Sequence, residues 1–150
     1  CNSPESMVIY YTTEGQSPPN TNQTEENNMN FFEKMTADCK AWEAAKKAGN
    51  KTEFPYSSGE LKAYWVFRNH TENLNGEFEM NDFCFDSERH DFIETLRKLG
   101  ITEFTVTNSS TALMSDLHGY ASEGCTMQGL HGITKKDENE TVQGILFKTN

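Results

Sequence analysis

The sequence predicts an α/β fold, with α+β as the alternative: one domain over residues 31–150, behind a flexible segment at 1–30. About four helices are expected around a small mixed sheet that contains a βαβ unit and a C-terminal hairpin. Three observations carry this. Between Arg89 and Ile133 a helical pattern, a Thr-rich strand, a second helical pattern and a Gly-punctuated strand follow one another with almost no spare residues. The first of those helices has acids in its opening turn, bases in its last and Gly100 beyond it. Two β-prone runs close the chain, separated by the charged turn Lys135 to Glu140.

The elements follow in order. Met7 to Tyr11 is a short β-prone patch, and residues 12–30 are too polar to offset the entropy of ordering, which marks a flexible linker. From Asn30, Phe32, Met35, Cys39 and Trp42 recur at helical spacing until Gly49-Asn50 supplies a left-handed stop. Ser57 or Ser58 caps a second helix whose stripe is Leu61, Tyr64, Trp65 and Arg68. After the turn Asn73 to Gly76, Phe78 and Met80 alternate with Glu77, Glu79 and Asn81, the period of a half-buried strand. The parity flips near Asp82, as at a bulge or strand end.

Asp86 or Ser87 caps the third helix, which turns Phe92, Ile93, Leu96 and Leu99 inward. Glu103 to Thr107 is a strand with Phe104 and Val106 on one side. Thr107 to Ser110 leads into a helix carrying Leu113, Met114, Leu117, Tyr120 and Ala121, ended by Gly124. Strands at Cys125 to Ile133 and Val142 to Lys148 complete a right-handed βαβ crossover followed by an antiparallel edge.

Net charge is −10, with a pI near 4.8, which disfavours direct nucleic-acid binding because that affinity comes from Lys and Arg displacing counterions. No apolar run is long enough to span a membrane. Residues 1–6 are polar and Met7 to Tyr11 is too short for a signal-peptide core, so a cytoplasmic setting is expected. Cys1, Cys39, Cys84 and Cys125 show no CxxC pair and read as reduced thiols. The rival reading is a secreted glycoprotein, since the cysteine count is even and sequons start at Asn22, Asn50, Asn69, Asn108 and Asn139.

Eight acids between Glu72 and Glu94 are opposed within that stretch only by Arg89, and a protein with a basic surface is their natural complement. Glu77, Glu79, Asp82, Asp86, Glu88 and Asp91 form the candidate partner surface; a solvated strand and helix face is the plainer account of the same residues. Thr107, Asn108, Ser109 and Ser110, between a strand and a helix, could hold an anion, although an N-cap and solvated turn explain them as well. His70, His90, His118 and His131 have no zinc-like spacing, so neither a metal nor a cofactor is expected. Cys84 lies between Asp82 and Asp86, which disfavour a thiolate, and no catalytic residues are expected.

The run Leu96 to Thr107, with Leu113-Met114 and Gly124 to Leu130, resembles a small uncharacterised α/β family of Gram-positive bacteria and their phages and mobile elements. Asn75 to Asp82 and Gly144 to Lys148 fit as well, so the likeness covers roughly residues 31–149. These motifs are structural punctuation. The resemblance implies a fold and a bacterial cytoplasmic setting, and supplies no active site. Together with the acid cluster it leads to the expectation of a non-enzymatic interaction protein, an inhibitor of a host defence nuclease of the anti-CRISPR or anti-restriction type. The alternative is a small enzyme or anion-binding domain using the 107–111 loop.

Overall fold

A computed structural model describes residues 21–72, 77–134 and 140–150. The expectations for the Met7 to Tyr11 patch, the Asn73 to Gly76 turn and most of the Lys135 to Glu140 turn lie outside the described residues. The elements are α1 (Thr21–Lys47), α2 (Ser58–Glu72), β1 (Glu79–Met80), α3 (Asp86–Lys98), β2 (Glu103–Val106), α4 (Leu113–Ser122), β3 (Thr126–Thr134) and β4 (Thr141–Lys148). α1 starts inside the stretch read as linker. Gln23, Glu25 and Glu26 are good helix formers, and extending a nucleated helix backwards costs little.

The sheet order is β1-β2-β4-β3. β1 and β2 run parallel and are joined by α3, while β4 is antiparallel to both β2 and β3. β2 and β3 are therefore also parallel, joined by α4, with β4 inserted between them. The expected antiparallel edge is thus corrected: β4 is interior and β3 is the edge. The apolar run Ile145-Leu146-Phe147 suits the more buried position, whereas β3 is largely exposed, with Leu130 83% accessible.

Phe92, Ile93, Leu96 and Leu99 of α3 are buried as expected and meet Phe104 and Val106 of β2, Phe147 of β4 and Tyr120 of α4. Tyr120, Phe104 and Phe147 interlock with ring centroids 5.4–5.8 Å apart. Gly100 and Gly124 take the positive φ angles, 74° and 92°, that end α3 and α4.

α2 is held from two sides. Ser57 is its cap: the Ser57 hydroxyl accepts the Glu60 N–H at 3.2 Å, and the Glu60 carboxylate accepts the Ser57 N–H at 2.8 Å. Ala63, Val66 and Phe67 enter the core, and a Cβ on Gly59 would overlap the Glu88 carbonyl, so Gly59 sets the close approach of α2 to α3. The expected stripe of Leu61, Tyr64, Trp65 and Arg68 is the second side. Tyr64 is buried against α1, and Trp65 is 46% exposed.

Candidate functional site

The six carboxylates expected to face a partner do not share one exposed surface. Glu79 is 7% exposed and accepts a hydrogen bond of 2.5 Å from the Thr107 hydroxyl. It pairs in register with Thr105, itself buried, so the polar parity of β1 faces a covered side of the sheet. Glu88 is 8% exposed and ties three things together. Its carboxylate accepts the Phe85 N–H at 2.9 Å, closing the first turn of α3, and lies 2.8 Å from the Lys62 ammonium. Burial disfavours the charged form, yet the bonds from Lys62, Ser58 and the Phe85 N–H outweigh it and hold the Glu88 carboxyl below its ordinary range. The cap of α3 is therefore Phe85, with Glu88 reaching back, and neither Asp86 nor Ser87 serves.

Glu77 is 2.7 Å from the His131 Nε2 of the edge strand β3. That leaves Asp82, Asp86 and Asp91. Asp82 and Asp86 flank an exposed aromatic: Phe85 is 57% accessible, with Phe83 edge-on to it at 4.7 Å. Asp86 is the most open of the set, its side chain 87% accessible although paired with Arg89; Asp82 is 56% accessible and lies 3.7 Å from the Lys62 ammonium. Asp91 is half-buried.

The loop carrying Phe85 is pinned from below. The Lys62 ammonium donates to the Phe83 carbonyl at 2.8 Å and sits 5.4 Å from the centre of each Phe ring. The Cys84 N–H donates at 3.1 Å to Asp116, a carboxylate only 1% exposed. The same Asp116 oxygen accepts from the Asn108 side-chain amide at 3.1 Å, and its other oxygen lies 3.0 Å from the Arg89 guanidinium. Burial works against the charge on Arg89, but Asp116 and Asp86 more than compensate, and its pKa is raised. A Cβ on Gly119 would overlap the Arg89 side chain, so that glycine admits the guanidinium between α3 and α4.

This arrangement answers the anion-site expectation at 107–111. The Asn108 oxygen accepts the Ser110 N–H at 2.8 Å, the Ser110 hydroxyl accepts the Ala112 N–H at 3.2 Å, and Thr107 donates to Glu79. Those groups are engaged internally, with the negative Asp116 behind them; Ser109 is exposed. An external anion would meet a carboxylate and few free donors.

Cys84 and Cys125 are buried and Cys39 half-buried, all three as free thiols. Burial raises the Cys84 thiol to about 12 and the Cys125 thiol to about 11, the opposite of what a nucleophile requires. His90 and His118 are exposed. No group of three or more His, Cys, Asp or Glu among the described residues has a metal-binding arrangement. No described helix is long and apolar enough to cross a membrane.

Asp116, Lys62 and Phe85 were missed as site residues. Phe85 looks like a strand residue, and Lys62 lies far from the acids in sequence. For Asp116 one signal existed: Gly119 in mid-helix marks a close approach, one turn from an otherwise ordinary surface acid.

Helices packed around a mixed sheet with a buried ionic tie define a small α/β domain. The chain belongs to the family described as Domain of unknown function (DUF7698), whose model matches residues 62–149. No curated protein and no solved structure matches it. The match begins within α2, so α1 and the connector after it lie outside the matched region, which is shorter than the 31–149 of the sequence resemblance.

Proposed function

We propose that this chain is a protein-interaction module that presents the Asn81–Asp86 loop to a partner with a basic surface. One observation supports the reading above others: an accessible aromatic, Phe85, is flanked by two accessible carboxylates on a loop held rigid by Lys62 and by the buried Asp116. A pre-ordered aromatic anchor loses little entropy on binding, and rim carboxylates accelerate encounter with cationic surfaces. In its finer form the partner is a defence nuclease whose phosphate-binding cleft the loop occupies, with the chain as a phage or mobile-element inhibitor. Two carboxylates around one aromatic, rather than an extended acidic face, make this a plug at a single point.

Cleavage assays with purified RNA-guided and restriction nucleases test that form, and binding to the same proteins on a sensor surface tests the broader one. Expected are inhibition by the wild-type chain, at least tenfold loss in Phe85→Ala and in Asp82→Lys/Asp86→Lys, and weaker binding as salt rises. Binding indifferent to both variants and to salt rejects the loop as the contact. Binding without inhibition rejects only the nuclease-blocking form.

A further inference from the structure

The surface formed by α1, α2 and the connector between them has the opposite character to the acidic loop. Between them lies a hollow of about 290 Å³ whose walls include Cys39, Trp42, Phe54, Leu61, Tyr64 and Trp65. Trp42 is fixed by its indole N–H, which donates to the Thr52 carbonyl at 3.1 Å, and by Phe54, edge-on at 5.0 Å. Trp42 also borders a second hollow of about 390 Å³, shared with Lys46, Asn50 and Lys51. The two make one groove with an indole as its divider.

The rim is cationic although the chain carries −10 overall: Lys40, Lys46, Lys51 and Arg68 line the two hollows against two carboxylates, Glu43 and Glu53. Lys46 lies 5.0 Å over the Trp42 ring and Arg68 4.9 Å over the Trp65 ring. Apolar walls call for an apolar side chain, and the rim for a few negative charges beside it.

We infer that this groove docks a short acidic segment of a partner protein, seating a Leu, Met or Phe side chain between Trp42 and Trp65 with its flanking Asp or Glu residues against Lys40, Lys46 and Lys51. Charge complementarity selects this occupant. A single-stranded nucleic acid also seeks cations and aromatics, but it needs open ring faces for its bases, and here cations already cover faces of both indoles. A long polyanion would also meet the repulsion of the remaining acidic surface, whereas a few carboxylates feel chiefly the lysines within a Debye length. α1 lies outside the matched family region, so half of the groove is built by a segment that the family signature does not describe.

The test starts with a displayed library of random 12-residue peptides selected on the full chain, followed by fluorescence-polarisation titration of a selected synthetic peptide. The expected peptides carry one apolar anchor flanked by Asp or Glu. Their affinity falls at least tenfold in Trp65→Ala and several-fold in Lys40→Glu and Lys46→Glu, is unchanged in Phe85→Ala, and resists competition by oligo-dT. Trp65 and both lysines are exposed, and a melting curve for each variant verifies that the fold persists. Recovery of basic peptides, indifference to Trp65→Ala, displacement by oligo-dT or an empty selection overturns the inference. The Phe85→Ala arm separates it from the acidic loop, since either surface can fail without the other.

Discussion

α3 and α1 are both helices of this chain, yet they are held in different ways. α3 buries Phe92, Ile93 and Leu96 in the core and, at its first turn, two charged residues, Glu88 and Arg89. Among the described side chains of α1 only Met35 is fully buried, and the helix rests on a seam in which Phe32 stacks on Tyr64 at 5.0 Å and meets Phe67 at 4.8 Å. Two polar contacts reinforce it: the Thr36 and Tyr64 hydroxyls at 2.9 Å, and Asp38 with the Tyr56 hydroxyl at 2.5 Å. The difference separates global from local stability. α3 cannot leave without opening the core, whereas α1 can detach after losing one aromatic seam.

The strongest way to break the α3 side is Arg89→Ala. It leaves the Asp116 carboxylate buried with one cation fewer, and the expected loss is about 3–5 kcal/mol, read as a large fall in the denaturant midpoint. Replacing the pair together, Arg89→Met with Asp116→Asn, which keeps an oxygen to accept the Cys84 N–H and the Asn108 amide, should recover much of that loss. A double variant as unstable as the single would show that the network holds the fold through more than its charge balance. Gly119→Ala attacks the same tie sterically: the new Cβ displaces the guanidinium, at an expected cost of roughly 1–3 kcal/mol.

The α1 side should respond differently. Phe32→Ala removes the ring that stacks on Tyr64, and the half-buried position implies a loss near the low end of the Phe→Ala range, about 2–3 kcal/mol, confined to α1. Hydrogen exchange should show α1 amides losing protection while those of α3 and β2 keep theirs. Equal loss in both helices would mean that α1 belongs to the same cooperative unit as the core.

How much of this contrast the sequence discloses depends on what a residue type can hide. The α3 stripe, the Phe104–Val106 face and the glycine stops at Gly100 and Gly124 were legible because apolar periodicity and positive φ have few other causes. The placement of Glu79, Glu88 and Asp116 was not, since a carboxylate bound to an internal donor and one in water are the same letter. Glu88 carried a faint sign, three residues after the cap, where a side chain can reach back to the cap N–H. α2 misled in another way: its obvious aromatic stripe includes Tyr64, which packs on α1, while Ala63 and Val66 enter the core beside Phe67, so side-chain size did not indicate which face was central.

A smaller effect of opposite sign tests the core itself. The Tyr120 hydroxyl is buried and has no hydrogen-bond partner among the described residues, and burial raises its pKa. An unpaired buried hydroxyl destabilises, so Tyr120→Phe should leave stability unchanged or raise it by about 1 kcal/mol, with the ring contacts to Phe104 and Phe147 kept. A clear loss in chemical denaturation would mean that the hydroxyl has a partner, such as a buried water.

The smallest effect lies in the first half of α3, one residue past Arg89, where His90 meets Glu123 of the α4 terminus at 2.9 Å on an open surface. The Glu123 hydrogen bond, helped by its charge and by Glu94 and Asp91, raises the His90 pKa above its ordinary 6.5. A raised folded-state value means that the pair stabilises fully below the unfolded pKa and that this contribution is lost as pH rises through the folded one. Wild type should therefore melt above Glu123→Gln at about pH 5.5 and converge with it by about pH 8.5, with the gap shrinking in high salt. NMR titration should place the His90 midpoint above 6.5 in wild type and lower in Glu123→Gln. A melting gap that widens with pH would reverse the sign and exclude this pair as its source, leaving the polar ties of α3 to α4 with Arg89, which meets Asp116 at 3.0 Å and Ser115 at 3.2 Å near its start, and with Arg97, which donates to the Glu123 carbonyl at 3.0 Å, at its end.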